Sequence, residues 1–186
     1  MKALLALSNA IVHVLERIAR AAGWLLIVLM TITCVDVICR KLSIPIPYTK
    51  FQEMEWHLHA AIFALWMGYC YVINAHPRVD SYTEALPFRI RAWIELAGCL
   101  LFALPYMGVI VYFGLDFLVI SYWQGEGSEN VAGLHHRWVI KGVFVLGLVL
   151  VLAAIISVIL RLVVYLFGGR PQEQVNLQIG HAVSEV

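Results

Sequence analysis

The groups in this 186-residue chain whose types could do chemistry are its histidines, its four cysteines and a few closely spaced acids. Redox or metal work would need them in facing or clustered sets. His57 and His59 stand two apart, so on a helix they point in different directions, while His13, His76, His135, His136 and His181 fall in flanks, loops or helix ends. A b-type haem requires axial histidines facing each other from neighbouring helices; His59 with His135 or His136 is the pairing left open, and it would be shallow. Cys34, Cys39, Cys70 and Cys99 lie in or at the ends of apolar runs without CxxC or Cys/His spacing, the pattern of small packed hydrophobes. Glu53 and Glu55 are offset by two on a helix, which is too divergent to share a proton. No cofactor, metal or catalytic set is assigned, and the chain is read as a non-enzyme.

What must position these groups is a set of membrane helices. Hydrophobic residues make up 62% and charged residues 13% of the sequence, with a mean hydropathy of +0.84. Soluble domains average about 45–50% apolar and 25% charged. A net charge of +1 without a basic patch excludes nucleic acid as a partner. Leu58 to Asn74 carries no formal charge and spans roughly 25 Å as a helix. Pro77 lacks an N–H and pushes His76 out of helical dihedrals, so that helix should end there.

The predicted architecture is an all-α integral membrane protein of four transmembrane helices plus amphipathic interfacial helices. Residues 1–20 form an amphipathic N-terminal helix, with Leu4, Leu7, Ile11, Val14, Leu15 and Ile18 on its apolar stripe. It is retained, because Glu16, Arg17 and Arg20 break the apolar run without a small-residue cleavage site. Residues 21–168 form the four-helix transmembrane domain, with crossings at about 21–39, 57–75, 92–122 and 138–167, and 169–186 form a mobile polar tail. Thr49 and Gln52 have capping-box spacing for an interfacial helix, and Pro105 should bend the third crossing.

Charges then sort by side. Lys2, Arg17, Arg20, Arg78, Arg89, Arg91, Arg161 and Arg170 fall on one side, and Arg40, Lys41, Lys50, Arg137 and Lys141 on the other; eight against five puts both termini in the cytoplasm. Trp24, Trp56, Trp93, Trp123 and Trp138 mark span ends, and Trp66 alone falls mid-crossing. At the membrane edges Asp36 is one turn from Arg40 and Glu95 one turn from Arg91. Asp116 has no base at that spacing and is expected to meet Lys141 or Arg40. The basic turn with His76, Arg78, Asp80, Arg89 and Arg91 should be cytoplasmic and face lipid phosphates or a partner.

Residues 124–137 make the longest outer connection. Glu126, Glu129, His135, His136 and Arg137, with Lys50, Gln52 and Glu53, would form a mobile mixed-charge face suited to a transient partner. No internal repeat, no matching pair of broken hairpins and no charged or amide residue at midplane argues for a solute path. The bottom-up reading is an accessory or scaffold subunit, with a haem-bearing membrane anchor of an electron-transfer complex as the alternative.

The order Gln52-Glu53, Glu55-Trp56, His76-x-Arg78-Val79-Asp80, Ser121-Tyr122-Trp123, Glu126-x-Ser128, Gly133-Leu134 and Trp138-x-x-Lys141 resembles the small permease (Q) subunit of tripartite ATP-independent periplasmic (TRAP) transporters, over roughly Thr49 to Gly168. It looks closest to the mannitol/chloroaromatic branch, whose systems commonly take organic acids, including 2-oxo acids. Pro77 stands where the family usually has valine. The resemblance implies a multi-pass subunit of the bacterial inner membrane that binds a large membrane (M) subunit and lipids. It also implies visits from a periplasmic substrate-binding (P) protein and support of sodium-coupled secondary uptake without binding the solute itself.

Overall fold

A computed structural model describes residues 1–75, 83, 85–169, 171–177 and 179. Among them the regular structure is helical: α1 (Lys2–Gly23), α2 (Leu25–Lys41), α3 (Tyr48–Val72), α4 (Phe88–Gly98), a π-helical turn (Cys99–Ala103), α5 (Leu104–Trp123), α6 (Trp138–Gly168) and α7 (Gln172–Val175). Trp24 between α1 and α2 keeps helical dihedrals, φ −67° and ψ −24°, so the two helices form one nearly unbroken rod. The π-helical turn sits just before Pro105, which has no N–H for the Leu101 carbonyl; widening the helix there absorbs the missing bond and the ring.

Three segments are long and apolar enough to cross a membrane: Lys2–Lys41, Phe88–Trp123 and Trp138–Gly168. The expected crossing at 57–75 has its helix, α3, but that helix is not among them. Its histidines, tryptophans and tyrosines dilute the apolar run. Length and composition therefore mark three spans where the sequence reading expected four.

Four helix ends share one solution. After α2, α3, α5 and α7 the chain passes through Ser43, Asn74, Gly125 and Asn176, with φ of 55°, 57°, 59° and 49°. At each, the following amide reaches back five residues, as in Ala75 N–H to the Cys70 carbonyl at 2.9 Å, which satisfies carbonyls the helix leaves free. The end of α3 is thus set by Asn74, ahead of the His76-Pro77 pair, which lies outside the described residues.

The chain divides into two compact units, and the divisions cut α1, α3 and α6 mid-length and part α5 from its first turns: Met1–Glu16, Met67–Val109 and Leu150–Val186 form the first, Arg17–Trp66 and Ile110–Val149 the second. In the first, Ala92 and Leu96 of α4 pack with Leu162 and Val164 of α6 and with Val175, Leu177 and Ile179 of the tail. The described part of the tail, residues 171–177 and 179, expected to be mobile, is docked over these residues. Its alternating apolar positions at 175, 177 and 179 form a buried strip once Asn176 turns the chain. Close approach of α3 to α6 needs glycine, since a Cβ on Gly68 would stand 2.8 Å from the Leu150 carbonyl oxygen.

The second unit repeats that contact in reverse: a Cβ on Gly147 of α6 would stand 2.7 Å from Ala64 of α3. Trp66, the tryptophan that fell mid-crossing, donates its indole N–H to the Ala19 carbonyl at 2.8 Å. Along α1 the buried positions are Ser8, Leu15, Ala19 and Ala22, whereas Leu7 and Val14 of the expected stripe are 53% and 52% exposed. Leu4, Ile11, Leu15 and Ile18 of the stripe are buried or half-buried and Asn9, His13, Arg17 and Arg20 exposed, so the amphipathic sense holds, with small Ser8, Ala19 and Ala22 added to the inward face.

Candidate functional site

The segment between α5 and α6 folds on itself before any other element touches it. Ser128 N–H bonds to the Leu134 carbonyl at 3.0 Å, Gly133 N–H to Asn130 at 2.8 Å, and Arg137 N–H to Glu126 at 2.9 Å. Glu53, in the second turn of α3, then closes the loop. One carboxylate oxygen accepts the Leu134 N–H at 2.6 Å; the other accepts the Ser128 hydroxyl and, at 3.5 Å, the Asn130 side-chain amide. Gly133 leaves room for this, because a Cβ there would come within 2.6 Å of the Glu53 carboxylate and closer still to Ser128.

The Leu134 N–H above all, then the Ser128 hydroxyl, holds the Glu53 carboxyl below the usual carboxylate range. A second tie joins Glu126 to Lys141 in the first turn of α6, and that ammonium is the main cause of the lowered Glu126 value. Lys141 also lies 3.7 Å from the centre of the Phe117 ring. The loop predicted to be mobile is therefore pinned at two points. Glu53 and Glu126 are spent inward, Arg137 is half-buried, and Lys50, Gln52, Glu129, His135 and His136 remain exposed.

Neither cation expected at Asp116 serves it. Lys141 is held by Glu126, and Arg40 Nε lies 2.7 Å from Asp36 with its guanidinium 5.0 Å from the Tyr48 ring centre. The folded loop brings Glu126 over the start of α6, whereas Asp116 lies exposed on α5. Asp36 is 5% exposed. Arg91 reaches the Ile179 carbonyl at 3.5 Å and faces the Phe88 ring; Glu95 is half-buried and Arg89 exposed. His76, Arg78 and Asp80 lie outside the described residues. Among the described residues no three His, Cys, Asp or Glu side chains are grouped to hold a metal.

A polar cluster that sequence reading missed lies in the first unit. Arg161, only 5% exposed, donates from Nε to Ser8 Oγ at 3.0 Å, from Nη1 to the Asn176 carbonyl at 2.8 Å and from Nη2 to Asn9 Oδ1 at 3.2 Å. Ser8 and Ser157 hydroxyls lie 2.8 Å apart, both fully buried. One guanidinium thus ties α6 to α1 and to the residue that turns the tail. The signal was present as Ser8 and Ser157 inside apolar runs, but nothing in the sequence says that residues about 150 apart meet.

A family model described as "Tripartite ATP-independent periplasmic transporters, DctQ component" matches residues 27–164, from α2 into α6. No curated protein and no solved structure gives a significant match.

Proposed function

The chain belongs to the DctQ family of tripartite ATP-independent periplasmic transporter components, and from that premise we propose that it is the rigid scaffold on which the large membrane subunit works. It is the small membrane subunit of such a transporter. The family match over residues 27–164 carries the reading, and the helix surfaces support it: only 11% of the most apolar window of Phe88–Trp123 is buried within the chain, leaving a broad apolar face for lipid and partner.

In this reading α3 also crosses the membrane, as the second of four spans, and both termini are cytoplasmic in the bacterial inner membrane. The transporter takes up an organic acid, with 2-oxo acids in its class, by sodium coupling, as in the mannitol/chloroaromatic branch. Solute and sodium sites lie on the large subunit. The exposed part of the outer face, Lys50, Gln52, Glu129, His135 and His136, receives the substrate-binding protein transiently. Affinity purification of the tagged chain in mild detergent, with its cognate large subunit co-expressed, should recover that subunit in fixed ratio. A chain recovered alone, with normal yield and sharp size-exclusion behaviour, would refute the scaffold assignment. An absorbance band of b-type haem would favour the electron-transfer alternative instead.

A further inference from the structure

Between Glu95 and Glu126 the sequence carries a single charged residue, Asp116 on α5. Its neighbours one turn away on either side, Tyr112, Phe113, Val119 and Ile120, are at least half exposed, and Asp116 is exposed among them. The aromatic belt gives its depth. Tyr122 meets Trp138 of α6 edge-on with ring centres 5.4 Å apart, and Trp123 beside it stands out from the chain, the pattern of a membrane–water boundary. Asp116 lies two helical turns inside that belt, roughly 10 Å along the axis. Among the described residues no group pairs with its carboxylate. Lys141, 3.7 Å from the ring centre of the adjacent Phe117, is taken by Glu126, and Arg40 is taken by Asp36.

An ionised carboxylate exposed at hydrocarbon depth is expensive to leave unanswered. Its position narrows what can answer it. Lipid chains carry no charge, headgroups lie at the belt above, and a second copy docked through the same face brings only another carboxylate. A cation carried to that depth by a different membrane helix meets the requirement. We propose that this face of α5 receives a helix of the large membrane subunit bearing a Lys or Arg level with Asp116. The cation pairs with the carboxylate, and its methylene stem lies along the Tyr112 and Phe113 rings. The lone acid is thus half of an ion pair divided between two chains, and the apolar side chains around it keep the pair dry. The inference rests on the scaffold reading and adds to it the helix face and the chemistry of the contact.

The test is co-purification of the co-expressed cognate large subunit with tagged wild-type chain, Asp116→Asn, Asp116→Lys and, as a control, Glu173→Gln, which alters an exposed acid of α7. Removing one partner of a desolvated charge pair should lower recovery of the large subunit about tenfold or more in Asp116→Asn, and charge reversal in Asp116→Lys should abolish it. Glu173→Gln should match wild type. Because Asp116 holds nothing in its own chain, both variants purified alone should keep the wild-type thermal midpoint, which separates a lost contact from a lost fold. A photo-crosslinking amino acid in place of the exposed Phe113 decides the question if an Asp116 variant folds poorly: ultraviolet light should join it to a Lys- or Arg-bearing helix of the large subunit. Wild-type recovery in both Asp116 variants overturns the assignment of this face while leaving the scaffold reading intact, as does a crosslink to lipid only, to a second copy or to a helix without a cation. Failure of the wild-type chain itself to retain the large subunit overturns both.

Discussion

Arg161 and Glu53 solve the same problem with opposite charge. Each is one ionised side chain that gathers segments distant in sequence through neutral partners: Arg161 donates to Ser8, Asn9 and the Asn176 carbonyl, while Glu53 accepts from Leu134, Ser128 and Asn130. The surroundings differ. Arg161 is nearly enclosed and its guanidinium does not lose its proton in any ordinary pH range, so that clasp is permanent. Glu53 lies beside a loop with exposed residues and is a carboxylate with a reachable titration, so the loop clasp can be opened by acid. Permanent ties hold the docked tail. A releasable tie holds the face proposed to meet a visiting protein.

The largest expected effect breaks the cation's side of this comparison. Arg161→Met should remove the charged donor held by the buried Ser8 hydroxyl and by the Asn176 carbonyl, each at about 1–3 kcal/mol, for a loss of about 2–6 kcal/mol. In detergent this should appear as a lower thermal midpoint and faster proteolysis of the tail. Arg161→Lys, with fewer donors and no fork, should recover only part of it.

Next in size are the two glycines that close α3 onto α6, one in each unit. Gly68→Ala and Gly147→Ala each force a Cβ into a neighbouring helix, and overpacking of this kind costs about 1–3 kcal/mol. Because the same helix pair is pried apart in both, the two variants should destabilise similarly. A large difference in their thermal midpoints would show that the two units do not share the load.

Smaller and confined to the loop is the effect of Glu53→Gln, read as amide-exchange protection at Leu134. The folded-state value of Glu53 lies below its ordinary one, so its contribution is complete above the ordinary carboxylate range and lost as pH falls through the lowered value. Protection in the wild-type chain should therefore fall on acidification within that window. In Glu53→Gln it should already be reduced at neutral pH and lose this pH dependence. Global stability should change little. Least of all should come from Lys141→Met, which frees the half-buried Glu126: a modest, salt-sensitive loosening of the loop base, checked by the exchange of the Arg137 amide.

Much was legible from local pattern. The apolar composition, the long charge-free runs, the Asp36–Arg40 spacing and a helix irregularity near Pro105 all follow from rules that act over a few residues, where bilayer thickness and helix pitch leave little freedom. Even the docked tail left a trace in Val175, Leu177 and Ile179, though its polar neighbours masked it.

Tertiary structure alone decided which of two plausible partners each charge takes. Lys141 goes to Glu126 and leaves Asp116 exposed, Glu53 turns into the loop, and Ser8 meets Ser157 and Arg161 across the chain. The reason is physical: a helix presents several faces, and in a membrane protein apolarity no longer marks the buried one. Sequence set the lengths and ends of the helices, but which face turns inward depends on small residues such as Gly68, Gly147, Ala19 and Ala22, whose close contacts exist only once the helices are packed.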